Sequence, residues 1–217
     1  GADILYGDAG SDTVHGDDGA DYIYAGSTTS HFEDLAVAET VDGGAGTDVL
    51  FFNADAATIT AADIANVSNV ELFYFSGNGA DTITFNDTYF TNAGTTSQIV
   101  RDFAANGAID SFTVTASSLS AANSVTTQHK LTQAVTESLT GGAGDDTIDG
   151  GANNDIAIFA GNQSDYTFES SADGLTITIT DTVNNDVDTV TGVETLRFDD
   201  GDIAVSLDAN GLVLTGD

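Results

Sequence analysis

Residues 141–158 read GGAGDDTIDGGANNDIAI, and the fold is decided by how this stretch divides. It falls into two nine-residue units, GGAGDDTID (141–149) and GGANNDIAI (150–158). Each fits Gly-Gly-x-Gly-x-Asp-x-apolar-x, with Asn153 at the fourth position of the second unit. A nonapeptide of this form builds a parallel β-roll. Glycines at the first, second and fourth positions permit positive φ and close backbone approach, so six residues complete a tight turn. Asn tolerates the left-handed region better than most residues, so the Asn153 turn is expected to survive. The last three residues make a short strand with one inward side chain, Ile148 and then Ala157.

Such a turn exposes carbonyl oxygens and sets one Asp carboxylate beside them. Oxygen ligands are what a hard cation such as Ca²⁺ takes. Asp146 and Asp155 hold the ligand position, with Gly141, Gly144 and Gly150 in the turns.

The same register recurs at the start of the chain. GADILY ends one unit, and GDAGSDTVH (7–15) and GDDGADYIY (16–24) follow directly. Asp3, Asp12 and Asp21 thus occupy equivalent positions, with Gly7, Gly10, Gly16 and Gly19 in the turns and Leu5, Val14 and Ile23 facing inward. Asp8 and Asp17 replace the second glycine, which the turn can accommodate if this position does not need positive φ. Residues 26–42 break the repeat and read as a loop excursion, with a short helix as the alternative. GGAGTDVLF (43–51) restores a unit with Gly43, Asp48 and Leu50, and SGNGADTIT (76–84) is a degenerate one with Asp81.

The sequence therefore divides into four parts. Residues 1–51 are a β-roll block containing the excursion, and 52–140 are β-rich with the degenerate repeat. Residues 141–158 are a second roll block, and 159–217 form a C-terminal hairpin and cap segment. In 52–75 the pattern gives a strand, a helical turn and a strong strand at Val70–Phe75. Between 85 and 138 polar and apolar residues alternate, which reads as short antiparallel strands. YTF, a turn at Ala172-Asp173-Gly174, and LTITIT read as a hairpin. VSNVELFYF (67–75) is echoed by VTGVETLRF (190–198), so Glu71 and Glu194 correspond. The fold class is all-β: parallel β-roll blocks interleaved with antiparallel strands and hairpins.

The charge balance narrows the function. Thirty-five acidic residues face three Lys and Arg, a net charge of -32. Nucleic acid is excluded as a partner because its phosphates need Lys and Arg, and an anionic membrane surface is disfavoured likewise. Hydrophobic content of 41% argues against disorder. Cysteine is absent, so no disulfide framework exists. No apolar run approaches the ~20 residues of a membrane span. The chain does not begin with Met, as expected of a fragment or a processed chain.

GDAGSDTVH, GDDGADYIY, GGAGTDVLF and GGAGDDTID resemble the RTX (repeats-in-toxin) family of bacterial proteins. The segment from FAGNQSDYTF to DTVTGVETLRFDDGDIAV is similar to the block that follows such repeats. The resemblance implies type I secretion and folding on extracellular Ca²⁺. It also implies that Asp3, Asp12, Asp21, Asp48, Asp81, Asp146 and Asp155 are ligands, together with turn carbonyls, each ion lying between neighbouring coils. The family includes toxins, proteases, lipases, adhesins and S-layer proteins.

Other residues read as ordinary surface or core. Asp8, Asp17, Asp18, Asp145 and Asp149 are off the ligand register and read as solvated charge. Asp199, Asp200 and Asp202 around Gly201 would allow an extra ion site. His15, His31 and His129 are scattered, and no His-Glu-x-x-His or Gly-x-Ser-x-Gly occurs. The expected function is a non-enzymatic, calcium-binding structural domain of a secreted bacterial cell-surface protein of S-layer type. Its expected partners are Ca²⁺ and neighbouring domains or copies of itself. The alternatives are the C-terminal folding and secretion module of an exported hydrolase or toxin, and an adhesin module.

Overall fold

The computed structural model describes residues 1–7, 11–24, 40–52, 57–76, 80–102, 111–116, 119–120, 123–129, 136–151, 154–208 and 211–216. Asp8, Gly10, His31, Asn153 and most of the 26–42 excursion lie outside these residues.

The chain winds as a flattened solenoid, laying successive strands alternately on two opposed sides. The larger sheet runs, neighbour by neighbour, through Ile4–Tyr6, Tyr22–Tyr24, Val49–Phe52, Leu72–Phe75, Ser97–Asp102, Ser124–His129, Thr147–Asp149, Val187–Thr191, Thr176–Asp181 and Tyr166–Ser170. The opposite side is built from two sheets. One holds Thr13–His15, Thr40–Asp42 and Val67–Ser68. The other runs from Thr58–Ile59 through Ala80–Thr84, Ser111–Thr115, Thr136–Thr140, Ile156–Ile158, Thr195–Phe198, Gly201–Asp208 and Gly211–Gly216. Thr40–Asp42, read from sequence as part of the excursion, is thus a strand of the stack.

Each coil contributes one side chain to each inward column, which is why the pattern of single apolar positions suffices to fold it. On the second side the column reads Ile59, Ile83, Val114, Leu139, Ala157, Leu196 and Ile203. All seven are buried in one continuous core. Val14, Val41 and Val67 make the corresponding column of the three-stranded sheet. In the middle of the stack the core is aromatic: Phe52 stacks on Phe75 with ring centroids 4.5 Å apart, and Phe73 packs on Phe85 and Tyr89.

Two features correct the sequence reading. Ser97–Asp102 pairs in parallel with Ser124–His129, and Ser111–Thr115 pairs in parallel with Thr136–Thr140. The region read as antiparallel strands is therefore further coils of the same solenoid. Period-two alternation marks a strand without fixing the direction of its partner. A helix, Asp87–Ala93, also went unread. Asn86 caps it by accepting the Tyr89 N–H at 3.0 Å, and Gly94 ends it with φ 70°. Tyr89, Phe90 and Ala93 on its inner face close this stretch of the core.

Antiparallel pairing appears only where the described solenoid stops. Tyr166–Ser170 and Thr176–Asp181 form the expected hairpin, which folds back onto Val187–Thr191. Thr195–Phe198, Gly201–Asp208 and Gly211–Gly216 form an antiparallel meander on the other side.

Candidate metal centres

One column of the larger sheet collects the acidic residues of successive turns. It reads Asp3, Asp21, Asp48, Glu71, Gln98, Val125, Asp146 and Asp188. The Asp3 N–H donates to Asp21 Oδ1 at 2.7 Å, and the Asp21 N–H to Asp48 Oδ1 at 2.8 Å. The Asp48 N–H donates to Glu71 Oε2 at 2.7 Å. Gln98 interrupts the series; its side-chain amide donates instead to the Glu71 carbonyl. The ladder resumes when the Val125 N–H donates to Asp146 Oδ1 at 2.7 Å and the Asp146 N–H to Asp188 Oδ1 at 2.9 Å.

The opposite side carries a second series. The Ala57 N–H donates to Asp81 Oδ1 at 2.6 Å, and the Asp155 N–H to Glu194 Oε2 at 2.9 Å. Asp12 begins the three-stranded side, where its carbonyl accepts the Thr40 N–H.

These carboxylates are buried. Asp21, Asp48 and Asp155 expose none of their surface, Asp146 exposes 1% and Asp81 2%; Asp3, at the first coil, is exposed. In Asp12, Asp21, Asp48 and Asp146 the second oxygen, Oδ2, is buried with no hydrogen-bond partner. A buried carboxylate with an unsatisfied oxygen is costly unless a cation meets it. The electrostatics show the same strain. Burial pushes the Asp146 carboxyl up to about 8, against the Val125 hydrogen bond that lowers it, with Asp188 and Asp186 raising it further. Burial likewise pushes Asp188 up to about 7. Asp48 is raised by burial first, and also by the Glu71 and Asp21 carboxylates.

The space beside these oxygens is kept open by glycine. A Cβ on Gly16 would collide with both Asp21 Oδ2 and the Gly43 carbonyl oxygen of the next coil. A Cβ on Gly141 would collide with Asp146 Oδ2. Among the described residues no three His, Cys, Asp or Glu side chains converge on one point, so these side chains alone do not make a ligand set; turn carbonyls such as that of Gly43 stand beside them. The donors are all oxygen, as Ca²⁺ prefers. The residues present therefore fit that ion, with Asp12, Asp21, Asp48 and Asp146 placed to hold it.

The turn glycines follow their positions. Gly19 and Gly46 have φ 156°, and Gly144 has φ 121°. Gly7 and Gly16 donate their N–H groups to the carbonyls of Tyr24 and Asp42 in the next coil, and Gly43 and Gly150 likewise to Ser68 and Thr191. The second position does require positive φ: Gly44, Gly142 and Gly151 adopt it, and so does Asp17 at φ 63°. The turn thus accommodates Asp17 although the position takes positive φ, because Asp is one of the few non-glycine residues that tolerate it.

Several other acids are occupied by the protein itself. Asp145 accepts the Val187 N–H and Asp149 the Gly151 N–H. Asp199 accepts the Gly161 N–H, Asp200 the Gln163 N–H, and Asp202 forms a two-pronged ion pair with Arg197. The extra ion site considered around Gly201 is thus taken up by hydrogen bonds and an arginine. His15 lies 3.7 Å from Asp42 on the surface.

Sequence reasoning missed Asp188, which completes the Asp146 ladder. Its signal was present: Asp188-Thr189-Val190 repeats the Asp-Thr-apolar triplet of Asp146-Thr147-Ile148.

A parallel two-sided solenoid with buried Asp ladders beside glycine turns defines a calcium-type β-roll. The model of the RTX calcium-binding nonapeptide repeat matches the chain in four copies, over residues 1–28, 39–59 and 136–166. The repeat-bearing coils are an RTX β-roll, and their repeats are of the calcium-binding kind. No curated protein and no solved structure matches the chain. Glu71, Asp81, Asp188 and Glu194 lie outside the matched residues.

Proposed function

We propose that this chain is a calcium-folded structural module of a secreted bacterial cell-surface protein, of the S-layer type, without catalytic activity of its own. The observation that carries the reading is that Asp12, Asp21, Asp48 and Asp146 each bury a carboxylate oxygen that meets no donor. With 35 acidic residues and three basic ones, the protein cannot neutralise these carboxylates from within. Bound calcium supplies two positive charges per ion and adds its binding free energy to folding. In a compartment poor in calcium the buried acids favour the unfolded, exportable chain. Outside, each turn closes around its carboxylate and carbonyl oxygens. Self-association through acidic surfaces bridged by calcium follows from the same charge excess.

An adhesin role has one observation in its favour. The outer face of the larger sheet carries Tyr6, Tyr24, Phe51 and Tyr74 in one column, with centroids 4.7 to 5.0 Å apart. Tyr6 and Tyr24, and Tyr24 and Phe51, lie nearly parallel and face each other, so few ring faces remain for a sugar. That favours the structural reading. No helix among the described residues is long and apolar enough to cross a membrane.

The test is circular dichroism with chelator and with millimolar CaCl₂, followed by light scattering. A β spectrum that strengthens and melts higher with calcium, and particles that grow with it, are expected. A spectrum indifferent to chelator overturns calcium-coupled folding; a calcium-loaded chain that stays monomeric at high concentration overturns the lattice role.

A further inference from the structure

We propose two additional calcium sites, each formed between the last nonapeptide turn of a block and a short turn that ends in glutamate: Asp48 with Asn69 and Glu71, and Asp155 with Gly192 and Glu194. The inference rests on the calcium reading of the nonapeptide turns. Asn69, Glu71, Gly192 and Glu194, which complete the two sites, lie outside the segments that match the repeat family.

The two short turns share one construction. Asn69-Val70-Glu71 and Gly192-Val193-Glu194 each begin with positive φ, 51° at Asn69 and 59° at Gly192. Val70 and Val193 are each 5% exposed and anchor the turn in the core. Leu72 pairs with Val49, and Thr195 pairs with Ile156, so Glu71 and Glu194 occupy the ladder position of the next coil. The path from Gly43 to Asp48 takes six residues, whereas that from Asn69 to Glu71 takes three. The extra methylene of Glu makes up the reach that the shorter turn loses. Both glutamates then do what a motif Asp does: Glu71 Oε2 takes the Asp48 N–H at 2.7 Å, and Glu194 Oε2 takes the Asp155 N–H at 2.9 Å.

A second observation points to a ligand. Asp48 is fully buried, yet its Oδ2 meets no hydrogen-bond donor. A Cβ on Gly43 would collide with that oxygen and with the Asn69 carbonyl oxygen together. The two oxygens thus line one cradle, left open by the missing side chain. It is the same arrangement that Gly16 leaves between Asp21 and Gly43. In the C-terminal block a Cβ on Gly150 would likewise meet the Gly192 carbonyl oxygen and Asp155. Each site offers two carboxylates and a carbonyl, a set of hard oxygen donors suited to Ca²⁺. Glu71 lies at the surface, which leaves room for water to complete the shell.

The experiment uses the whole chain, with CaCl₂ as the probe. Glu71→Gln and Glu194→Gln keep a side-chain oxygen for the N–H and remove the charge. Calorimetric titration should show one ion fewer for each variant and two fewer for the double variant, with an unchanged β spectrum in calcium. Unchanged stoichiometry and affinity in both would overturn the proposal and leave the glutamates as turn caps only. A wild-type chain that binds no calcium would fail the underlying reading instead. If a variant does not fold, carboxyl-carbon NMR of the calcium-loaded wild type decides. The chain has only six Glu. Replacing part of the Ca²⁺ with a paramagnetic lanthanide should broaden the Glu71 and Glu194 carboxyl signals and leave that of Glu169 sharp; sharp signals from Glu71 and Glu194 overturn the proposal.

Discussion

Asp21 donates its backbone N–H to Asp48 Oδ1 at 2.8 Å, across 27 residues of sequence and one coil of the solenoid. The contact joins register to chemistry. A carboxylate oxygen satisfies the neighbouring coil, while its twin is left facing a glycine turn. Coils in register therefore create cation sites as a by-product of their own hydrogen bonding. The cost is a column of buried negative charge, which a bound cation would offset.

Asp48→Asn separates the two roles. The amide oxygen still accepts the Asp21 N–H, so the coil contact survives, and the buried charge disappears. Burial raises the Asp48 carboxyl in the calcium-free fold, so its ionised form is disfavoured there. Without calcium the variant should melt no lower than the wild type. In CaCl₂ at a hundredfold excess over the dissociation constant it should lose about 2.7 kcal/mol of ion-linked stability per site removed. Thermal melts with chelator and with calcium check both halves.

The calcium-free protein should lose stability as pH rises. Asp146 and Asp188 are raised to about 8 and about 7 in the fold, from an ordinary value of 3.8. The folded state thus binds protons that the unfolded chain releases. That stabilisation is full below about pH 4 and is lost as pH climbs through about 7 to 8. With calcium the slope should reverse over the same window, because protons then compete with the ion. Melting temperatures from pH 4 to 9, in chelator and in CaCl₂, test the sign directly.

Much of this was legible from nine-residue spacing. Asp3, Asp21, Asp48, Asp146 and Asp155 could be placed because the turn motif fixes which residue faces the neighbouring coil. The coils between Ser97 and Thr140 carry no nonapeptide turns, so only their alternation was visible, and that is silent on pairing direction. A longer interval did mark them: Glu71 and Gln98 stand 27 residues apart, as do Asp21 and Asp48. The frame shared by Glu71 and Glu194 left both a calcium-facing and a surface position open; that each accepts the N–H of a motif Asp is visible only in three dimensions. The Asp87–Ala93 helix had its cap residues in plain view, but Tyr89 and Phe90 also suited a strand.

Gly43→Ala should be far more damaging than its size suggests. The added Cβ would meet the Asn69 carbonyl oxygen and Asp48 Oδ2, both held by the stack. Overpacking of this kind costs about 1–3 kcal/mol, and here it also fills the ion's place. Gly94→Ala is the comparison: its Cβ meets nothing within 4 Å, but φ is 70°. It should cost roughly 1–2 kcal/mol from the left-handed backbone alone and leave calcium affinity unchanged. Calcium titration of the two variants separates backbone strain from loss of the cradle.

Phe73→Ala should unzip the stack locally rather than melt it whole. Phe73 is fully buried, with ring centroids 5.5 Å from Phe52, 6.0 Å from Phe85 and 5.7 Å from Tyr89. Removing such a ring costs about 3–5 kcal/mol. In a solenoid each coil rests chiefly on its neighbours, so the loss falls on the adjoining coils. Val49–Phe52 and Ser97–Asp102 flank Leu72–Phe75 in the sheet. Amide exchange in calcium should quicken in those three strands while Val187–Thr191, beyond the Asp146 ladder, keeps its protection. Uniform loss of protection would show instead that the two calcium blocks fold as one unit, with the aromatic coils carrying the coupling between them.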